Sequence, residues 1–344
     1  MAYSTIDKSS SFQNAVLYTG NGSTQSITGV GFQPDFTWIK VRNQAYNHYW
    51  FDVPRGAGEY LKCNQTAAET DGSADHLTAW TSDGFNLGDT AGVNENTSTF
   101  ASWSWKGGTT SGLSGGTITP SSYSFNSTSR CGIYKRTGTA SAGTITHGLG
   151  GIPRLIITKN LTSTSNWRMY WAPLGAGNGI NLNETAGDYS DANLWNGTVP
   201  TSTVYSIGSS NDTNASGDDF VDYVFCDVKG YSKINRYKGN GNANGPIIYT
   251  GFKPSFILIK RWNTSGGNWW IWDNKREGYN EVNDNLYADI NNAEDTSGRH
   301  VNIFSNGFKI IATDNGVNGD GNMYLYAAFG QPIVGSNGVT ATAR

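Results

Sequence analysis

The chain has 344 residues, 44 of them glycine, with 13% aromatic and only 15% charged residues and a net charge of −3. This mix excludes disorder, which needs few aromatics and much charge, and it carries no basic stripe of the kind that binds nucleic acid. No apolar run approaches the ~20 residues of a membrane-spanning helix, so membrane insertion is not expected, and the length predicts two or three domains.

Residues 1–15 are polar and lack the apolar core of a signal peptide. Ser9, Ser10 and Ser11 give no periodicity, so this stretch reads as an arm, ordered only by contact with the body or a neighbour. A first β-module is predicted over 16–106. It opens at Val16-Leu17-Tyr18 and turns at Asn21-Gly22, a strong hairpin signal. The run Gly31-Phe32-Gln33-Pro34-Asp35-Phe36-Thr37-Trp38-Ile39-Lys40 follows, with Pro34 confined to a strand start or edge because it has no N–H. Tyr49-Trp50-Phe51-Asp52 and Tyr60-Leu61-Lys62-Cys63 are further strands. Phe100 to Trp105 closes the module, with Phe100, Ser102 and Ser104 on one face and Ala101, Trp103 and Trp105 on the other.

Residues 107–132 are rich in Gly, Ser and Thr and read as a linker or extended connection, with Tyr123 and Phe125 as anchors. Module two, 133–232, repeats the order. Gly151-Ile152-Pro153 leads to Lys159, Trp167 to Trp171 follows, Asn183-Glu184-Thr185-Ala186 echoes Asn64-Gln65-Thr66-Ala67, and Phe220 to Cys226 closes. Module three, 233–329, contains Gly251-Phe252-Lys253-Pro254 to Lys260, Trp269 to Asp273, Ser305-Asn306-Gly307-Phe308 and the closing run Met323 to Phe329. Residues 330–344 form a tail. In every copy the lysine stands six positions after the proline. The expected class is all-β: three tandem, self-contained antiparallel β-sandwich modules, with packing of one module on another left open and a turn or two of helix only within Asn280 to Ala293.

The Asp52/Arg55 and Asp273/Arg276 pairs recur at one position and suit either a ligand clamp or a turn fixed by a local ion pair, the second being favoured. Module two carries Ala172 and Gly175 there, so a clamp is lost in that copy. Trp270 and Trp272 share one strand face and Trp269 takes the other; exposed, they or Trp50 would bind sugar rings, and buried, they fill a core. Glu59, Glu69, Asp75, Asp289 and Glu294 offer carboxylates, of which a glycosidase needs two within ~5–10 Å across a cleft. Gly-x-Ser-x-Gly, HExxH and P-loop motifs are missing, so no enzyme is expected. Asp314 to Asn322 and Asp212 to Asp219 bear closely spaced oxygen ligands of the kind calcium prefers, but read first as turns; no metal or cofactor is expected. The cysteines Cys63, Cys131 and Cys226 suggest neither a disulfide framework nor a zinc site, and the four histidines are expected on the surface or in turns.

Tyr18-Thr19-Gly20-Asn21-Gly22, Gly31 to Asp35, Phe51-Asp52-x-x-Arg55-Gly56, Ser82-Asp83-Gly84-Phe85 and Ala101-x-Trp103-x-Trp105-Lys106 together resemble a family of tailed-phage proteins common in phages of aquatic bacteria. The likeness continues through Gly148-Leu149-Gly150, Gly230-Tyr231-Ser232-Lys233 and Tyr249 to Pro254, and ends on Gly335 to Val339 and Thr340 to Arg344. It implies a non-enzymatic virion structural protein, tail-fibre-like or capsid-decorating, with lectin-like or SPRY-like jelly-roll sandwiches, made in the host cytoplasm. It implies other virion proteins as partners, a homo-oligomer, and contact with neighbours through the arm and the tail. A host-surface glycan is a further candidate partner, which would make the chain an adhesin.

Overall fold

The computed structural model describes residues 4–72, 75–277, 280–298 and 300–334. The chain is all-β, and one strand order occurs three times. In the first module the large sheet places Gln13–Thr19, Thr99–Trp105, Phe36–Val41, Tyr49–Asp52, Glu59–Lys62 and Thr70–Asp71 side by side. The second runs Cys131–Thr137, Asp219–Cys226, Pro153–Asn160, Arg168–Trp171, Asn178–Asn181 and Tyr189–Ser190. The third runs Ser232–Lys238, Met323–Pro332, Phe252–Arg261, Trp269–Asp273 and Leu286–Tyr287. Each has a small second sheet: Gln25–Ile27 with Gly84–Leu87 and Leu77–Thr81, Gly143–Thr146 with Val204–Ile207, and Ile247–Tyr249 with Gly307–Ile311 and His300–Phe304. The prolines enter their strands as a missing donor requires. The register slips between Pro153 and Leu155 and between Pro254 and Phe256.

The modules are not the self-contained sandwiches expected from the sequence. Each large sheet is buried on both faces. Along Phe36–Val41, Ile39 and Val41 pack into a core private to module one, while Phe36 and Trp38 point into a core shared by all three modules. The alternation seen in Phe100 to Trp105 divides the same way: Phe100 is private, and Ala101, Trp103 and Trp105 are shared. At the centre Trp105, Phe225 and Phe329, one from each closing strand, form a triangle of edge contacts, with centroids 6.2, 5.5 and 5.7 Å apart. Each such contact is worth about 0.5–1.5 kcal/mol beyond the area it buries. Phe36, Leu155 and Phe256 join them around an apolar void of about 30 Å³.

One set of equivalent backbone bonds links each module to the next around a circle. The Glu69 amide donates to the Leu161 carbonyl, Asp188 to Trp262 and Glu294 to Arg42, at 3.0, 2.9 and 2.6 Å. Leu161, Trp262 and Arg42 each stand eight residues after their module's proline. The chain is therefore a closed ring with a pseudo-threefold axis, and its third seam joins the last module to the first.

The arm packs on its own chain. Ile6 is fully buried in the shared core, and Ser9 donates to Gln331 Oε1 from both its amide and its hydroxyl. Residues 4–12 of the arm are thus ordered by contact with the body; of the tail, 335–344 lie outside the described residues. The linker over 107–132 is corrected. Ser122–Asn126 is an extra strand of module two paired to Cys131–Thr137. Asp35 accepts from the Gly107 amide and the Ser124 hydroxyl, tying the connection to module one. The helix expected within Asn280 to Ala293 is instead bridge and strand. The helical turns in the described residues are the 3-10 turn Ser9–Ser11 and the α-turns Ala91–Asn94 and Asn211–Asn214. No helix among the described residues is long and apolar enough to cross a membrane.

Candidate functional site

Of the residues singled out in the sequence, Trp50, Asp52, Arg55, Trp269, Asp273 and Arg276 converge on the seams of the ring, and Trp270 and Trp272 do not. Arg55 Nε donates to Asp52 Oδ2 at 2.5 Å, its Nη1 reaches Glu69 at 3.1 Å and its Nη2 reaches the Trp50 carbonyl at 3.0 Å. Arg276 repeats all three bonds, to Asp273 at 2.5 Å, Glu294 at 2.8 Å and the Ile271 carbonyl at 3.0 Å. Each aspartate then takes a donor from the next module: Tyr223 Oη to Asp52 at 2.7 Å, and Trp103 Nε1 to Asp273 at 3.0 Å. Burial opposes ionisation of Asp273, but the Arg276 guanidinium and the amides of Arg276 and Lys275 outweigh it and hold the carboxyl below its ordinary value.

The remaining seam, between modules two and three, has lost the pair as a unit. Strand register puts Trp171, opposite Leu155, where Asp273 stands opposite Phe256. Three residues on, Leu174 replaces the arginine, and Ala327 takes the place of Tyr223 and Trp103. This corrects the assignment of Ala172 and Gly175 to those positions by one residue. Acid, base and donor have all become apolar, so no buried charge is left without a partner.

The tryptophans are core residues and not an exposed sugar platform. Trp50, Trp269, Trp270 and Trp272 are 3% exposed or less. Trp50 and Trp269 lie in the shared core, while Trp270 and Trp272 stack inside module three with centroids 5.8 Å apart. Trp269 Nε1 donates to the Asn181 carbonyl of module two, as Trp167 donates to Lys62 and Gln65 of module one. At the third seam the equivalent residue is His48, which is fully buried and accepts from Trp38 Nε1 on Nδ1. His76 and His147 are buried too, so the surface placement is corrected for all three, while each does lie in a loop between strands; the His300 side chain lies outside the description. The three cysteines are buried and free.

The repeated lysine has a role that its spacing alone did not reveal. Lys40, Lys159 and Lys260 are fully buried. Lys159 donates to the Thr66 carbonyl of module one, and Lys260 to the Glu184 carbonyl of module two. Burial lowers the Lys40 and Lys159 amines to about 7. Asn94, Asn214 and Asn318 are a second hidden triad. Each buried amide donates to two acceptors in the turn that follows its module's first strand and to one carbonyl just past a strand of the small sheet, tying the turn to that sheet; the turns at Asn21-Gly22 and its equivalents therefore join strands of two different sheets and not a hairpin. In the runs weighed as calcium loops, the Asp314 carboxylate accepts from the Gly316 amide and its carbonyl from Val317 and Asn318, which is turn chemistry.

Concavities among the described residues open on the outside. One is polar, about 310 Å³, on the small sheet of module one between Gln25, Ser26, Thr78 and Asn86. Another, about 450 Å³, lies where module two passes into module three, between Asp227, Lys229, Lys233 and Tyr249.

The fold and its seams define a single-chain ring of three β-sandwich repeats closed around a common aromatic core. The chain belongs to the family described as a domain of unknown function, DUF7483, whose model matches residues 8–332. That match spans all three repeats as one unit. No curated protein and no solved structure matches the chain.

Proposed function

We propose that the chain is a non-enzymatic structural component displayed on the surface of a phage particle, tail-fibre-like or capsid-decorating, and that it serves there as a rigid attachment block. The observation that carries the structural role is where its charged groups are spent. Asp52, Arg55 and Glu69 are engaged with one another within module one, and Asp273, Arg276 and Glu294 within module three, and each set is joined to the neighbouring module by Tyr223 or by Trp103 and Arg42. The particle itself rests on the ordered motifs that resemble tailed-phage proteins. One pseudo-threefold chain also presents three equivalent faces, as a trimer would at a symmetric site. The test is mass spectrometry of density-purified particles from a culture whose phage encodes this chain. Peptides in fixed ratio to the major capsid protein are expected; their absence from purified particles contradicts the proposal.

The second reading, a glycan-binding adhesin, is favoured by the outer groove beside Tyr249. It is compatible with the first, because a displayed block can carry a binding surface.

A further inference from the structure

The three repeats act as internal controls for one another on the small outer sheet, where Gln25–Ile27, Gly143–Thr146 and Ile247–Tyr249 form equivalent edges. Ile27, Ile145 and Ile248 face inward, opposite Phe85, Tyr205 and Phe308, and all are buried. Alternation turns the side chains on either side of them outward. In module three the Ile310 amide donates to the Pro246 carbonyl and the Thr250 amide to the Asn306 carbonyl. The ladder bonds to Gly307–Ile311 therefore fall on Pro246, Ile248 and Thr250. The N–H and C=O groups of Ile247 and Tyr249 point away from the sheet and have no partner among the described residues.

Module two closes this same edge from its own chain. The Thr117 and Ile118 amides donate to the Thr144 carbonyl at 2.9 and 3.0 Å, and the Thr144 amide donates to Thr117 Oγ1 at 2.8 Å. The fold thus has room for a further strand at this place. Module one leaves the edge open but lines it with small polar side chains, Ser26 and Thr28. Module three has neither device. Its entry from Cys226 to Ser232 leaves no connection to cover the edge, and Ile247 and Tyr249 are 67% and 64% exposed. The open large-sheet edges are blunted instead. The Ile234 amide is taken by Asp227 Oδ1 and its carbonyl by Arg154, with Arg236 and Lys238 exposed beyond. On Gln13–Thr19 the Ala15 amide is taken by Asn14 Oδ1 and the Thr19 carbonyl by Gln25 Nε2. An uncharged apolar edge without such protection is a template for another strand.

We propose that Ile247–Tyr249 pairs with the same strand of a second copy of this chain, antiparallel about a twofold axis through Ile248. The occupant follows from self-complementarity. Under that axis Ile247 lies opposite Tyr249 of the second copy and exchanges both backbone bonds with it, and Tyr249 does the same with the second copy's Ile247. Every open backbone donor of the edge then meets an open acceptor. Each tyrosine ring lies beside an isoleucine, an aromatic–β-branched cross-strand pair. The two small sheets become one continuous sheet. Among the described small sheets this edge alone is both apolar and open, so the assembly closes at two copies and does not grow into a filament. The pairing goes beyond the attachment reading and does not depend on it.

The experiment is sedimentation equilibrium of the full chain from about 1 to about 200 µM, with pulsed hydrogen exchange at both ends of the range. A reversible monomer–dimer equilibrium with a dissociation constant in about the micromolar range is expected, because a short edge buries less than a standard interface. Exchange over 245–251 slows in the dimer, and exchange over 24–28 does not. Ile247→Lys, a charge of the kind that guards natural edges, and Tyr249→Thr, the residue of module two, each weaken the dimer about tenfold or more. Ser26→Lys, at the equivalent edge of module one, leaves it unchanged. The altered side chains are exposed, so all three variants melt as the parent does. A chain that stays monomeric across the range, or a dimer that Ile247→Lys leaves intact, overturns the proposal. Protection of 245–251 that arises only in purified particles, with the isolated chain monomeric, gives the edge to a strand of another particle protein and overturns the second copy as its occupant. A dimer that is missing from particles refutes only the location proposed above.

Discussion

The Tyr223 hydroxyl donates to Asp52 Oδ2 at 2.7 Å across the boundary between the first and second modules, inside a carboxylate–guanidinium pair that is itself fully buried. A strand of one repeat thus completes the hydrogen bonding of a charge in another. Trp103 does the same for Asp273 at the seam that closes the ring. Folding of each repeat is therefore tied to its neighbour by polar geometry as well as by aromatic contact.

Removing one member of this set strands the others. Asp52→Ala leaves the Arg55 guanidinium buried without its main counter-charge and is expected to cost about 3–5 kcal/mol. Tyr223→Phe removes one donor to a carboxylate and should cost less, about 1–3 kcal/mol. Urea denaturation of the two variants measures both, and the order of the two losses is the check.

The buried asparagines give a second prediction. Asn214 donates to Thr139 Oγ1 and to the Ser141 and Gly208 carbonyls, and its own oxygen accepts from the Thr139 amide. Asn214→Ala orphans several of these groups and is expected to lose about 3 kcal/mol or more. Asn318→Ala at the equivalent position of module three should lose a similar amount. Thermal melts compare them.

Acid sensitivity should centre on the closing seam. Burial is the main force lowering the pKa of His48 well below 6.5, and Lys40 and Arg276 add to it. Asp273, Glu294 and Asp284 also lie at this seam, engaged with Arg276 and Arg42. The unfolded imidazole then binds a proton at a pH where the folded one does not. Stability from this group is full above the unfolded value and falls as the pH drops below it. His76 and His147 are lowered by burial too and act with the same sign. The melting temperature should fall from about pH 7.5 to about pH 5. His48→Gln, which keeps an acceptor for Trp38, should flatten that fall without abolishing it.

The lysines predict a rise on the alkaline side. The Lys159 amine is lowered by burial from 10.5 to about 7, so between those values the unfolded chain holds a proton that the folded chain has lost. Stability must increase with pH across that window. The urea midpoint should be higher at about pH 9 than at about pH 7, and Lys159→Met should reduce the difference.

Much of this architecture was legible because the repeat is written in residues with strict backbone or packing demands. The proline that must enter a strand at an irregularity, the lysine six residues later and the alternating closing strand each mark the same place three times. The shared core was not legible. Alternation in Phe100 to Trp105 assigns two faces, but an apolar face reads alike whether it meets its own second sheet or another module. The same ambiguity left Trp50 and Trp269 as sugar-binding candidates. Residues such as Asn94 and Asn214 look like ordinary turn formers, since only the fold brings three acceptors to one amide. Tyr249 carries no signal of its own in the sequence, because its exposure depends on Ile248 facing inward.

The central claim is that the repeats form one closed ring and do not act as three independent sandwiches. Pulsed hydrogen exchange with mass spectrometry across a urea series tests it directly, following peptides that contain Thr99–Trp105, Asp219–Cys226 and Met323–Pro332. A ring with a common core loses protection in all three at one urea midpoint. Three separate midpoints, one for each closing strand, would contradict it.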